Sequence, residues 1–231
     1  MKDIFDNYVE TSFDGFQQAT FKFKQFELNY KKYFPKEKKS LVLDIGIGRG
    51  EMLSCMHDWG FDYQGVDISP STVRFCKTLK LNCEVTDDTA KWLSNNKEKF
   101  SLITCLDVLE HVPHDQTIDF LKAMRASLTR EGCAIIQVPN LQSPFGYLHH
   151  FNDFTHVSGF GEHSLGQVLL TAGFSEFKFF GFEEIFATNF KQRIKLILRF
   201  FYRKVVRFLR TINANPNPLI LDPVLFVVAY K

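Results

Sequence analysis

The run Asp44-Ile45-Gly46-Ile47-Gly48-Arg49-Gly50 constrains this chain more than any other segment. It follows a hydrophobic strand signal, LVLDI at 41–45, and leads into a helical one. Glycines at alternate positions let the backbone turn tightly and bring its N–H groups close to a ligand that a Cβ would keep away. A turn of this kind belongs to α/β sheets that bind nucleotides at strand ends. Its spacing, an acid followed by GxGxG, differs from the GxGxxG of dinucleotide enzymes.

Strand-like and helix-like segments alternate from there: strand 62–67, helix 70–80, strand 82–86, helix 89–97, strand 100–106, helix 115–129 and strand 133–138. This alternation predicts a parallel sheet covered on both faces. Upstream, 16–34 reads as an aromatic-rich helix ended by Pro35, within an N-terminal helical cap over 1–39. Downstream, 140–163 is rich in Asn, Ser, Gly, His and Phe and reads as an active-site loop. A helix from Ser164 to Ala172, a strand near 175–182, a basic arm within 186–213 and a last strand, PVLFVVAY, complete a single domain over 1–231.

Further acids stand where a nucleotide would meet them. Asp67 ends the second strand about twenty residues after the glycine turn, where a carboxylate accepts both ribose hydroxyl hydrogens. Ile68 beside it is counted with the cofactor contacts. Asp87 and Asp88 precede the helix near Thr89, where an acid suits an adenine amino group. Spacing to Leu93 favours Asp88, with Asp87 as the nearer alternative.

In this order DIGIGRG, GVD, the Asp pair and LITCLDVLEHVP resemble the motifs of class I S-adenosylmethionine-dependent methyltransferases, over roughly 40–175 and again in the last strand. The resemblance implies a Rossmann-like, seven-stranded, mostly parallel sheet with an antiparallel last strand. It implies S-adenosyl-L-methionine as cofactor, with Gly46, Gly48 and Gly50 flanking its methionine part and Asp44 beside them. Asp67 would meet the ribose, Asp88 the adenine, and Leu106 would lie near the sulfonium.

The reaction so implied is a displacement in which an acceptor nucleophile attacks the methyl carbon in line with the departing sulfur. Sulfonium leaves readily, so the protein positions the partners and removes a proton, and His suits that task near neutral pH. The NPPY-like tetrad of amino-methylating nucleic-acid enzymes is absent after the fourth strand. Two histidine regions compete for the base. Glu110-His111 follows the fourth strand, and with Asp107 it resembles a metal site of ubiquinone-pathway O-methyltransferases. Residues 147–165 resemble a D-x-T-H … F-T-x-x-S-L … A-G-F pattern of methyltransferases in O-antigen and other surface-glycan pathways. Asp153, Thr155, His156, Phe160, Ser164, Leu165, Ala172, Gly173 and Phe174 match it, and Gly161 stands where Thr is usual. Asp153, three residues before His156, is placed to orient its imidazole.

The basic arm carries Lys191, Arg193, Lys195, Arg199, Arg203, Lys204, Arg207 and Arg210 without an acid. With these eight charges set apart, the rest of a chain of net charge +2 carries about −6. Ile194, Ile197, Leu198, Phe201, Val205, Phe208, Leu209 and Ile212 form a stripe at helical spacing. Such a helix suits an anionic membrane surface, a dimer contact, or its own sheet. The acidic body argues against nucleic acid. Five cysteines without CxxC spacing, no signal-peptide core and no apolar run of about eighteen residues predict a cytoplasmic protein, peripheral at the inner membrane face. The expected activity is methylation of a sugar hydroxyl on a lipid-linked surface glycan, with His156, Asp153 and His111 as catalytic candidates. Metal-assisted methylation of a quinone-like molecule and a non-catalytic cofactor-binding scaffold are the alternatives.

Overall fold

The computed structural model describes residues 18–183 and 190–231, together with Ile4 and Asp6. Strand β1 (Leu41–Ile45) pairs in parallel with β2 (Asp62–Asp67) on one side and β4 (Phe100–Leu106) on the other. β3 (Cys83–Val85) extends the sheet beyond β2, and β5 (Leu128–Pro139) lies parallel to β4. The last strand, β7 (Val224–Tyr230), runs antiparallel between β5 and β6 (Glu176–Gly181). The order is therefore β3-β2-β1-β4-β5-β7-β6. The chain moves outward from β1 to β3 and returns to β4 on the opposite side of β1. That reversal opens a crevice at the carboxyl ends of β1 and β4, where ligands of such sheets bind.

Alternate residues of each central strand serve opposite faces, as the pleat requires. Val42, Leu102 and Ile135 join a core with α1 (Thr20–Asn29), α2 (Glu51–Asp58) and α3 (Pro70–Thr78). Leu43, Ile103 and Ile136 join the other core, with α4 (Thr89–Ser94), α5 (Thr117–Ser127) and α7 (Glu162–Thr171). The expected architecture is the observed one.

Several boundaries differ from the sequence reading for physical reasons. The expected helix over 16–34 starts at Thr20 and gives way at Asn29 to a 3-10 turn at Lys31–Tyr33. Pro35 disfavours helical backbone at Phe34, which is extended at φ −67° and ψ 148°. Residues 16 and 17 and most of the N-terminal cap before them lie outside the described residues. β5 starts five residues early, because Leu128 pairs with Phe100 before the register shifts. The loop after Pro139 contains α6 (Gly146–Phe151). A Cβ on Gly146 would stand 1.6 Å from the Asn140 carbonyl oxygen, so this turn admits only glycine. The arm forms α8 (Phe190–Ile212); residues 186–189 of the expected insertion lie outside the described residues.

Candidate active site

The crevice is a cleft of about 570 Å³, within the range of small-molecule sites. Asp44, Gly46, Gly48, Asp67, Ile68 and Leu106 line one part of it. Gly46 holds a φ of +73°, and a Cβ there would meet Val108 Cγ2 at 2.2 Å. The glycine turn therefore lies against the end of β4 as closely as a backbone can. Buried Asp44 accepts from Thr104 Oγ1 at 2.6 Å, and burial pushes its carboxyl up to about 8. Asp67 accepts from Ser69 N at 2.8 Å. Burial raises its carboxyl to about 6, against backbone N–H groups of Ser69, Ile47 and Gly48 that favour the ionised form. Asp67 thus ties β2 to the glycine turn.

Three predicted cofactor contacts stand apart from this wall. Gly50, at φ +74°, precedes α2 and packs where a Cβ would meet Leu81 Cδ1 at 2.6 Å. Asp88 caps α4, its Oδ1 accepting from Lys91 N at 2.9 Å, and Asp87 is exposed beside it. Neither acid lines the cleft.

The other part of the cleft gathers Asp107, Glu110, His111, Asp153 and His156. Val157 and Ser158 donate backbone N–H groups to the Glu110 carbonyl at 2.9 and 3.0 Å, which fastens the 140–163 loop over the end of β4. Glu110 is fully buried, and neither carboxylate oxygen has a hydrogen-bond partner among the described residues. Burial, then the nearby Asp107 charge, raises its carboxyl well above the usual range. His156 Nε2 stands 3.9 Å from Glu110 Oε1, and the His111 and His156 rings lie 4.6 Å apart. Burial, then the neighbouring His156 imidazole, lowers His111 to about 4, so it is neutral at physiological pH.

Two expected partnerships are rearranged. Asp153 was expected to orient His156; instead it accepts from the Thr155 amide at 2.8 Å and hydroxyl at 2.6 Å. That hydroxyl lies 2.8 Å from His111 Nδ1, and having given its hydrogen to the carboxylate it accepts from the ring. His156 is held by the His150 carbonyl, 2.9 Å from its Nδ1, which leaves Nε2 as the acceptor facing Glu110. The alternative metal-type trio read from the sequence is Asp107, Glu110 and His111. The structure brings Glu110, His111 and His156 within 4.8 Å of one another. Asp107, at φ +55°, accepts from Gln137 Nε2 at 2.9 Å, and Gln137 in turn accepts from the Tyr30 hydroxyl.

Gln137 and Glu51 were not singled out in the sequence. Gln137 is a polar residue inside the apolar run of β5, which was its signal. Glu51, buried at the start of α2, lines the cleft and accepts from Ala19 N and Arg49 Nε, both at 3.1 Å.

A family model described as a methyltransferase domain matches residues 19–176, well over half of the chain. The chain belongs to the methyltransferase-domain family. Among curated proteins, the ubiquinone biosynthesis O-methyltransferase of Coxiella burnetii is 33% identical over 79 residues, 32% of this chain and 34% of that one. Its counterpart in Glaesserella parasuis is 30% identical over 108 residues, 43% and 45% of the two chains. The matches thus span a third to under half of these relatives' lengths. A solved S-adenosylmethionine-dependent methyltransferase from Archaeoglobus fulgidus superposes with a TM-score of 0.71 at 23% identity, covering 94% of this chain and 96% of the other. A Haemonchus contortus phosphoethanolamine N-methyltransferase, solved with S-adenosylmethionine, superposes at 0.57 with 16% identity, covering 98% and 60%. These likenesses give the chain the fold of S-adenosylmethionine-dependent methyltransferases. Among the described residues, no helix is long and apolar enough to cross a membrane.

Proposed function

We propose that this methyltransferase acts on a hydroxyl of a small phenolic or quinone-like acceptor, held against the Glu110–His111–His156 cluster. One observation carries the reading: a buried carboxylate without a hydrogen-bond partner among the described residues stands beside two imidazoles in the cleft. Asp67, Ile68 and the glycine turn are assigned to the cofactor, with Leu106 near the sulfonium and Asp44 supporting the turn. Asp88, with Asp87 as alternative, remains the proposed adenine contact through whichever carboxylate oxygen the helix cap leaves open. In the reaction the acceptor oxygen attacks the methyl carbon, the carbon–sulfur bond breaks, and the sulfonium becomes a neutral thioether. The hydroxyl proton passes to His156 Nε2, whose Nδ1 the His150 carbonyl holds in place.

The same cluster fits a divalent cation. One carboxylate and two imidazoles are a donor set for zinc, iron or manganese, and both Nδ1 atoms already have outer partners, as metal-bound histidines do. A cation bound there would take the lone pair of His156 Nε2 and supply Lewis acidity that favours the ionised hydroxyl, whose proton would then leave to solvent instead of to His156. The curated relatives, named for ubiquinone biosynthesis, favour this class of acceptor.

A sugar hydroxyl of a lipid-linked glycan is the second reading. It is favoured by the presence in the cleft of Asp153 and His156, two residues of the surface-glycan pattern. Transfer of labelled methyl to catechols and to lipid-linked glycans, with and without a chelator, separates the two. The first reading expects catechol methylation that falls with chelator and with Glu110→Gln. Chelator-insensitive transfer to a glycan alone would overturn it.

A further inference from the structure

Helix α8 turns its apolar stripe away from the protein. Its arginines make the contact with the body: Arg203 pairs with Asp222, and Arg207 donates to the carbonyls of Pro218 and Leu219 at 3.0 and 2.9 Å. Arg210 donates to the carbonyls of Pro216 at 3.0 Å and Gln142 at 3.2 Å. At about 100° per residue these three arginines span a sector of roughly 60°. The stripe of Ile194, Ile197, Phe201, Val205, Phe208 and Ile212 is centred about 160° away from that sector. Each of these six side chains is 41–63% exposed. The helix therefore does not bury its apolar side on its own sheet, one of the expected uses.

The charges beside the stripe indicate what covers it. Lys191 and Lys195 stand on one shoulder, Arg193 and Lys204 on the other, and all four are exposed. No acid occurs anywhere in 190–212. A two-fold contact through the stripe would set the four shoulder cations of one copy against the same four of the other. A bilayer of anionic lipid accepts the stripe among its acyl chains and both shoulders at its phosphates. The 23-residue helix offers a length of about 35 Å for this.

We propose that α8 lies in the surface of an anionic membrane and holds the cleft at the lipid boundary. The helix adjoins the loop that lines the cleft, through the Arg210 bond to Gln142 and through Phe145 stacked on Tyr202 with centroids 5.6 Å apart. The acceptor then arrives from the membrane, whichever hydroxyl it carries. This inference does not depend on the acceptor proposed above.

The test is flotation of the full-length protein with vesicles of phosphatidylcholine alone or with about 30% phosphatidylglycerol, in low and high salt. Binding to the anionic vesicles only, weakened by salt, is expected. Replacing Lys191, Arg193, Lys195 and Lys204 by Gln should weaken it by roughly fivefold per charge, two to three orders of magnitude together. Phe201→Glu with Phe208→Glu should abolish it, while S-adenosylhomocysteine binding by calorimetry stays unchanged and certifies the fold. Wild-type protein that ignores anionic vesicles would overturn the proposal, as would vesicle binding that survives these variants. A dimer in sedimentation that Phe201→Glu with Phe208→Glu splits, without vesicle binding, would assign the stripe to a second copy instead.

Discussion

Replacing Gly46 by Ala places a methyl group where the structure leaves no room. The added Cβ would stand 2.2 Å from Val108 Cγ2, while Val108 Cβ and Cγ1 lie at 3.5 and 3.6 Å. Holding Ala at a φ of +73° costs about 1–2 kcal/mol, and the overpacked contact adds about 1–3 kcal/mol. The single substitution should therefore destabilise by about 2–5 kcal/mol in urea denaturation. It should also weaken S-adenosylhomocysteine binding, because relief of the clash moves the glycine turn off the end of β4. Val108→Ala alone removes two partly buried methyls at about 1–2 kcal/mol. It also removes the atom in collision and leaves the Val108 Cβ in ordinary contact at 3.5 Å. The double variant should then cost less than the sum of the singles, with a coupling of about 1–3 kcal/mol. Additive costs within about 0.5 kcal/mol would refute the reasoning, since the close approach of turn and strand would then not be the constraint.

Asp44→Asn should flatten the pH dependence of stability. Asp44 titrates near 8 in the fold because it is buried, so between about pH 4 and 8 the unfolded chain has released a proton that the fold retains. Stability of the native protein from this group falls as pH rises through that window, by up to about 1.4 kcal/mol per unit. Stability of the variant relative to wild type, followed by urea denaturation, should rise with pH at up to that slope; a pH-independent difference would contradict the assignment. Tyr30→Phe should cost about 1–3 kcal/mol in the same assay, because it removes the hydroxyl donor to Gln137 Oε1. A neutral Tyr30→Phe would mean that this buried bond contributes nothing to the fold.

What could be read in the sequence was mostly local. The acid and glycines at 44–50 dictate a turn by backbone sterics alone, and β1 and β4 announce themselves as apolar runs, so their places in the sheet followed. The start of β5 was hidden because LTREG looks like a polar turn, and it pairs only through its distant register with Phe100. Helix α6 sits among Asn, Ser and Gly residues that carry no helical period. At the site, proximity in sequence misled: Asp153 is three residues from His156 but binds Thr155. The group that holds His156 is the carbonyl of His150, to which no side-chain pattern points. Glu110 meets His156 across 46 residues, a contact that only the folded loop creates. The stripe of α8 was plain from its spacing. Its outward direction was not, because it depends on arginines donating to carbonyls of 216–219.

In the proposal made above, one cleft is divided between a cofactor half at β1 and β2 and an acceptor half at Glu110, His111 and His156. Calorimetric titration of S-adenosylhomocysteine into wild type, Asp67→Ala and His156→Ala tests that division directly. Binding should weaken by roughly 10- to 100-fold or more in Asp67→Ala, from the loss of charged hydrogen bonds to the ligand. Affinity should stay near native in His156→Ala, whose methyl transfer should fall by about 10²- to 10⁴-fold. Equal loss of affinity in both variants, or unaltered affinity in Asp67→Ala, would contradict that division.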